Sequence, residues 1–162
     1  MNLKLEKFSA HDFALYFLLV NDIRVMEMIT ERVLELNEAQ DDFIKLLANN
    51  ALHENFGSYK ILSAETDTFI GFAKLEIKET NSEEAELGYM ILPEYWGKGI
   101  AGTTSALLVE TAKKQQQLAK LVAIIDPKNA ASRKILINNQ FISKEFIDFD
   151  GLPGEILELK LK

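Results

Sequence analysis

The chain has 162 residues, of which 48% are apolar and 27% charged, with a formal net charge of −7 and no cysteine. This length suits one domain with a buried core, so residues 1–162 are predicted to form a single domain. The lack of cysteine excludes a disulfide framework, a thiolate zinc site and a cysteine nucleophile, and no apolar run reaches the length of a signal peptide or membrane span. We therefore expect a cytoplasmic protein without membrane contact and without a metal site. Its two histidines, His11 and His53, are expected at the surface or at a helix end and not in catalysis.

The first third of the chain predicts one strand followed by helices. The segment "LKLEKF" alternates apolar and charged residues as a strand does, and Ser9 with Asp12 is typical of a helix start. A second helix is predicted to be capped by Asn37 with Gln40 and to end at Gly57.

Three strand-like segments follow, "SYKILSA", "FIGFAKLEI" and "EAELGYMIL", joined by short polar connections. This spacing predicts an antiparallel meander that ends at Pro93. Apolar residues then recur at helical spacing from Ile100 to Ala112, before the apolar strand "KLVAIID". A strand-helix-strand connection of this kind is predicted to be right-handed and to place its two strands in parallel.

The C-terminal part predicts a helix and a hairpin. Pro127 ends the preceding strand, Asn129 is typical of an N-cap, and the turn "DGLPG" separates the strands "FISKEFIDF" and "EILELKL". The predicted fold class is α+β, with a mixed, mostly antiparallel sheet and one parallel β-α-β crossover.

The stretch "YWGKGIAGTT" contains the pattern G-x-G-x-x-G at Gly97, Gly99 and Gly102. Dinucleotide-binding turns use this pattern, and Asp126 at the end of the next strand stands where a ribose-binding acid would fall. The context argues against a nicotinamide dinucleotide, because a meander precedes the loop, only one crossover follows it, and "PEYW" separates the strand from the first glycine.

The same glycines suit a pyrophosphate, because they leave backbone N–H groups uncovered at the positive end of a helix. Residues 94–134 hold seven lysines or arginines against three acids, in a chain that is acidic as a whole. A locally basic segment favours a small polyanion, while the acidic remainder disfavours nucleic acid. A plain helix-entry turn and solvated surface charge are the alternatives that the residues leave open.

The segment "AELGYMILPEYWGKGIAGTTSALL" resembles the acetyl-CoA-binding motif of the GNAT superfamily of N-acetyltransferases, and its "ELGY" and "PEYWGKGIA" are similar to the RimJ/RimL-type branch. "DPKNAASRKILINNQF" is similar to the second signature of that branch, and the order of predicted elements resembles the GNAT fold over essentially the whole chain. Three positions differ from the usual pattern: Trp96 replaces a basic residue or glutamine, Gln140 stands where glycine is common, and Leu136 occupies the place of a tyrosine acid.

The resemblance implies direct transfer of an acetyl group from acetyl-CoA to a neutral primary amine, without an acetyl-enzyme and without a metal. Backbone amides of Met90, Ile91 and Leu92 would bind the pantetheine arm, and one of them would face the thioester oxygen. The other implied cofactor-binding residues are Trp96, Gly97, Lys98, Gly99, Ile100, Ala101, Gly102, Asn129, Ser132 and Lys134, with Lys128 as a further phosphate contact. Ser132 would also hydrogen-bond to the departing sulfur.

Glu86 resembles the family's acidic residue and would act as the base through a water molecule, with Glu84 on the same face as the second candidate. Both could instead be solvated acids on the sheet. The branch implies a protein N-terminal amine as acceptor, for example that of a ribosomal protein, held by the helical region from Ser9 to Asn55. The alternatives are a polyamine or other small amine, and a non-catalytic acyl-CoA-binding regulatory module. The protein is expected as a monomer or a homodimer.

Overall fold

A computed structural model describes all of residues 1–162 and contains seven strands. They are β1 (Leu3–Lys7), β2 (Gly57–Ser63), β3 (Phe69–Glu76), β4 (Glu84–Ile91), β5 (Lys120–Ile125), β6 (Ile142–Phe149) and β7 (Leu152–Lys160). They form one sheet in the order β1-β2-β3-β4-β5-β7-β6, in which only β4 and β5 are parallel. The predicted fold class is confirmed, including the meander from β2 to β4 and the single crossover.

Five α-helices cover the two faces of this sheet: α1 (Phe13–Val20), α2 (Ile23–Met26), α3 (Leu36–Asn50), α4 (Ile100–Lys113) and α5 (Ala130–Asn138). Alternation along β3 divides the core, because Phe72 packs with α1 to α3 on one face while Ala73 and Leu75 pack beneath α4 and α5 on the other. None of these helices is both long enough and apolar enough to cross a lipid bilayer.

The bounds of α3 differ from the prediction. The helix begins earlier than an Asn37 cap requires, because Glu35 and Glu38 form a capping box one residue before Leu36. It ends at Asn50 and not at Gly57, which already belongs to β2. The Asn50 side-chain carbonyl accepts a β2 backbone N–H at 2.7 Å, so the last residue of α3 is tied to β2.

Strands β4 and β5 separate from each other at their C-terminal ends. They pair over three residue pairs, the last of which is Glu86 with Val122. Beyond this point β4 stays paired with β3 as far as Ile91, and β5 stays paired with β7 as far as Ile125. The inner edges of both strands therefore lack a neighbour and form a gap in the sheet.

Helix α5 is held in place at its start. Asn129 caps it as predicted, since its side-chain oxygen accepts the backbone N–H of Ser132 at 3.1 Å. The Arg133 Nε donates to both carboxylate oxygens of Glu155 on β7, at 3.2 and 3.1 Å. The Glu155 side chain is only 1% exposed, so this ion pair anchors α5 to the interior of the sheet.

The end of α5 explains how the chain tolerates a glutamine in place of glycine. Gln140 has a φ of 73°, the left-handed conformation that glycine adopts without strain. Its backbone N–H donates to Ile137, and that of Phe141 donates to Leu136, both at 3.0 Å. This pattern is a Schellman motif, and it places Phe141 in the core.

The closing hairpin has a shorter loop than "DGLPG" suggested. Only Asp150 and Gly151 connect β6 to β7, and both have positive φ angles, of 51° and 92°. A two-residue Asp-Gly loop with this geometry matches the twist of antiparallel strands. The hairpin places β7 between β5 and β6, so residues near the C-terminus complete the sheet beside the gap.

Candidate active site

A cleft of about 920 Å³ passes through the gap between β4 and β5 and continues between the sheet and helices α1 to α3. It brings together predicted residues from β4, the glycine loop and α5. The predicted residues that line it are Glu86, Met90, Ile91, Trp96, Gly97, Gly99, Ile100, Ala101, Gly102, Asn129 and Ser132. Four predicted residues do not line it, namely Glu84, Leu92, Lys98 and Lys134, and neither does Lys128.

The glycine loop presents a row of unpaired amides to the cleft. The first backbone N–H of α4 with an internal acceptor is that of Thr103, which donates to Gly99 at 3.1 Å. The six preceding amides, residues 97–102, donate to no protein acceptor. Gly97 and Gly99 have φ angles of 77° and 76°, a left-handed conformation that glycine adopts without strain. Five of the six residues, all except Lys98, line the cleft. Such a row at a helix N-terminus is suited to a pyrophosphate.

The β4 backbone offers a second set of amides along the gap. Leu92 donates its backbone N–H to Ile70 on the β3 side at 2.9 Å, whereas the Glu83 carbonyl accepts from the β5 side. Backbone direction alternates along a strand, so the amides of Tyr89 and Ile91 point into the gap. Of the three predicted amides, that of Leu92, and by the same alternation that of Met90, points toward β3. The predicted amide of Ile91 points into the gap, and Tyr89 adds a second one.

Trp96 has a structural partner. Its indole Nε1–H donates to the Ile91 carbonyl at 2.8 Å, and the side chain is half exposed. The indole therefore braces the end of β4 against the glycine loop. Lys98 also lies on a neighbour, with its Nζ 5.6 Å from the centre of the Tyr95 ring, outside the cleft wall.

Tyr89 and Ser132 form a hydrogen-bonded pair where α5 meets β4. The Tyr89 hydroxyl donates to Ser132 Oγ at 2.8 Å, and both residues line the cleft. Burial raises the pKa of the Tyr89 phenol, and the contact with Ser132 only partly opposes this shift, so the phenol is neutral at neutral pH. The Asn129 side-chain oxygen is used by the helix cap, which leaves its Nδ2 amide to face a ligand.

Glu86 lies on the opposite face of β4, toward α1 to α3. Its carboxylate pairs with the Lys74 ammonium at 2.9 Å, and the Glu86 side chain is about one-third exposed. Glu76 stands directly across from Glu86 on β3 and also lines the cleft. A carboxylate that is accessible from the cleft and close to the open edge of β4 has the position that a general base requires.

The part of the cleft beneath α1 to α3 is largely apolar. Its apolar wall consists of Val20, Val25, Met26, Met28, Ile29, Leu34, Leu46 and Phe72. Tyr16 and Asp42 add polar groups to this wall. Burial raises the pKa of Tyr16 to about 12, and the nearby Asp42 carboxylate adds to the shift.

Two residues of this site, Tyr89 and Lys74, have no role in the sequence-based prediction. Strand alternation places Tyr89 on the face opposite Glu86, which is the face that α5 covers, so this signal was present in "ELGY". No sequence signal pairs Lys74 with Glu86, since that contact depends on the register between β3 and β4.

Comparison with known proteins identifies the family. Residues 2–142 match the family model described as the acetyltransferase (GNAT) domain. An N-acetyltransferase named p20 from Bacillus licheniformis is 24% identical over 119 residues, which cover 73% of this chain and 67% of that protein.

Solved structures of two acetyltransferases share the fold. Spermidine N-acetyltransferase from Vibrio cholerae, in complex with CoA and spermine, superposes with a TM-score of 0.82 at 18% identity, covering 98% of this chain and 95% of that one. RimL, a ribosomal-protein alpha-N-acetyltransferase in complex with coenzyme A, has a TM-score of 0.80 at 15% identity, covering 99% and 94%.

The fold, the amide row and the open β4 edge together define an acyltransferase of the N-acetyltransferase class. The chain belongs to the GNAT acetyltransferase family, because the family model covers most of its length.

Proposed function

We propose that this protein transfers an acetyl group from acetyl-CoA directly to a primary amine, and that the amine is the N-terminal amine of a protein, as in the RimJ/RimL branch. The observation that carries the proposal is the row of six unpaired amides beside the open edge of β4. The whole chain would act as one domain, since β7 inserts between β5 and β6. The cytoplasmic location and the oligomeric state stay predictions.

The residues of the cleft fit acetyl-CoA, which would supply the acetyl group as a thioester. The amides of residues 97–102 would hold its pyrophosphate. The amides of Tyr89 and Ile91 and the Asn129 Nδ2 group would bind the pantetheine arm in the gap, where a sheet neighbour is missing. Three lysines, Lys98, Lys128 and Lys134, do not line the cleft, so they would attract the phosphates over a longer distance without touching them.

The two faces of β4 would divide the chemistry. On the α1 to α3 side, Glu86 would take a proton from the incoming ammonium, directly or through one water molecule, so that the neutral amine can attack. In the gap, a β4 amide would stabilise the negative charge that develops on the thioester oxygen. On the α5 side, Ser132 would donate a hydrogen bond to the departing sulfur.

The composition of the cleft supports an acceptor that joins one amine to an apolar group. The wall beneath α1 to α3 is mainly apolar, and Lys74 already pairs with Glu86. A protein N-terminus with an apolar first residue meets this description, and its α-amine has a usual pKa of about 7.7–8.0, compared with about 10.4 for lysine. It is therefore the easier amine to deprotonate at neutral pH.

A polyamine is the second candidate. Asp42 and Glu76 line the cleft without a close cationic partner and could bind a second ammonium group. The structural neighbour from Vibrio cholerae carries spermine in its structure, which adds weight to this candidate. A small dication would be held by these two acids rather than by the apolar wall.

Thermal unfolding with acetyl-CoA, CoA or NAD tests the cofactor. A ligand at 100 times its dissociation constant stabilises the fold by about 2.7 kcal/mol. Acetyl-CoA and CoA are expected to raise the melting temperature while NAD does not. A shift with NAD alone would refute the assignment of the glycine loop.

A competition assay tests the acceptor. The protein is incubated with acetyl-CoA, spermidine and a peptide that begins with an apolar residue and contains one internal lysine, and mass spectrometry locates the acetyl group. We expect acetylation of the peptide α-amine, at a strongly reduced rate in the Glu86→Gln variant. Preferential acetylation of spermidine would identify a polyamine as the acceptor instead of a protein N-terminus. Binding of acetyl-CoA without transfer to any amine would favour the non-catalytic regulatory module.

A further inference from the structure

The Tyr89–Ser132 pair lies on the face of β4 opposite the candidate base and has a defined polarity. The Tyr89 hydroxyl is the donor and Ser132 Oγ the acceptor, at 2.8 Å. Because a serine hydroxyl has one hydrogen and two acceptor lone pairs, this contact leaves the serine hydrogen for another partner. The Ser132 hydroxyl donates to no protein acceptor, although the residue is 91% buried. The cleft is therefore the direction in which this hydrogen can be used.

The tyrosine is well placed to impose this polarity. Its ring packs against the core beneath α4 and α5, so its hydroxyl has little freedom to turn away. The Asn129 cap and the Arg133–Glu155 ion pair fix Ser132 from the α5 side. Both ends of the hydrogen bond are thus held by the fold, as an effective positioning contact requires.

We propose that Tyr89 is a positioning residue, which orients the Ser132 hydroxyl so that its hydrogen points at the sulfur of the leaving thiolate. This inference rests on the proposed transfer from acetyl-CoA. It assigns a function to the tyrosine of "ELGY" in a chain where Leu136 occupies the usual place of the tyrosine acid.

The bonds and protons balance without loss of the phenolic proton. The amine nitrogen forms the new N–C bond, the C–S bond breaks, and its electron pair stays on sulfur. The ammonium gives one proton to Glu86 before the attack, a second proton leaves nitrogen for Glu86 after the N–C bond forms, and Glu86 passes each of them to solvent. The thiolate leaves hydrogen-bonded to Ser132 and takes one proton from solvent when it is released, so one proton is released overall. Tyr89 keeps its proton throughout, in agreement with a phenol whose pKa is raised by burial.

The pKa of the thiol of bound CoA provides a test that needs no acceptor. Hydrogen bonding to an ionised group lowers its pKa, so a correctly oriented Ser132 lowers the pKa of the bound thiol. The ultraviolet absorbance of the thiolate is titrated in complexes of the full chain with CoA, after subtraction of the protein alone. We expect Tyr89→Phe and Ser132→Ala each to raise this pKa relative to the wild type. Tyr59→Phe is the matched control, because Tyr59 is half-buried outside the cleft and its hydroxyl donates to Asn55.

A double-mutant cycle on acetyl transfer provides the second readout. Ser132→Ala is expected to lower kcat by about 10²-fold, as loss of a donor to developing charge does, and Tyr89→Phe by about tenfold. The KM for acetyl-CoA should change less than twofold in both. Since Tyr89 acts through Ser132, Tyr89→Phe should have no further effect in the Ser132→Ala background.

The outcomes separate the inference from the proposed function. A chain that binds neither CoA nor acetyl-CoA refutes the function. If the chain binds CoA but the pKa of the bound CoA thiol is the same in the wild type, Tyr89→Phe and Ser132→Ala, the role of the pair is refuted. An equal effect of Tyr89→Phe with and without Ser132 also refutes it, because the tyrosine would then act independently.

Discussion

Replacement of Gly99 by alanine should weaken folding slightly and cofactor binding strongly. Gly99 precedes α4 with a φ of 76° and a ψ of 11°, and a Cβ at this position would have no heavy atom within 4 Å. The cost to folding is therefore conformational strain without a clash. An alanine in this left-handed region destabilises the folded state by about 1–2 kcal/mol. Alanine also lowers the conformational entropy of the unfolded chain, which favours the folded state by about 0.4–1 kcal/mol. The net loss of about 1 kcal/mol should lower the melting temperature by about 2–4 °C in a chain of this length.

The effect on binding is separate, because the open space beside Gly99 is the cleft that we assign to pyrophosphate. At 100 times the dissociation constant, acetyl-CoA stabilises the wild type by about 2.7 kcal/mol. If the added methyl group weakens binding tenfold, the same concentration stabilises the variant by only about 1.4 kcal/mol. Differential scanning calorimetry with and without acetyl-CoA measures both quantities.

Gly151→Ala is the matched control for this experiment. Gly151 has a φ of 92° and equally open surroundings, but it lies in the β6–β7 turn away from the cleft. Its variant should show a similar loss of stability and the full stabilisation by acetyl-CoA. If Gly99→Ala retains the full stabilisation as well, Gly99 does not face the phosphates and our assignment of the cradle is wrong.

Three further predictions concern the base, a helix end and alkaline stability. Glu86→Gln should lower kcat by about 10²–10⁴-fold while stabilisation by acetyl-CoA is retained. The control Glu110→Gln, on the exposed side of α4, should change neither quantity. An unchanged kcat in Glu86→Gln would exclude Glu86 as the base. Gln140→Gly should raise the free energy of unfolding in urea by about 1 kcal/mol, because glycine adopts the φ of 73° without strain, and a loss of stability would contradict the Schellman motif. In the folded chain the pKa of Tyr16 is about 12, whereas its usual value, expected in the unfolded chain, is 10. The unfolded state therefore ionises first, so the stability from this group is present below pH 10 and is lost as the pH rises toward 12. Urea unfolding measures this loss at pH 8 and pH 11. Between these pH values the free energy of unfolding should fall by about 1 kcal/mol more in the wild type than in Tyr16→Phe. An equal fall in the two proteins would refute the raised pKa of Tyr16.

Patterns among neighbouring residues in the sequence predicted much of the fold. Alternation in the strand segments and the helical spacing after Gly102 depend on neighbouring residues only, so the meander and the crossover were predictable. The Asn129 cap was predictable for the same reason, since its bond to Ser132 spans three residues. The contact at the end of α3 was not, because the Asn50 side chain bonds to a strand whose position is set by the sheet.

The candidate site shows the same division. The glycine loop and Glu86 were recognisable in the sequence, because a phosphate cradle is a local backbone geometry and the family motif surrounds it. The choice among the amides of β4 needed the structure, since pairing with β3 decides that Leu92 turns away from the gap while Tyr89 and Ile91 turn toward it.

The sequence by itself determined the secondary-structure pattern, the glycine loop and the family resemblance, all of which are set by residues close together in the chain. Only the tertiary structure decided where β4 and β5 separate, that Lys74 meets Glu86, and that Tyr89 meets Ser132 from 43 residues away. These contacts depend on strand register and helix packing, which are set by the burial of the whole core, and no local pattern encodes them.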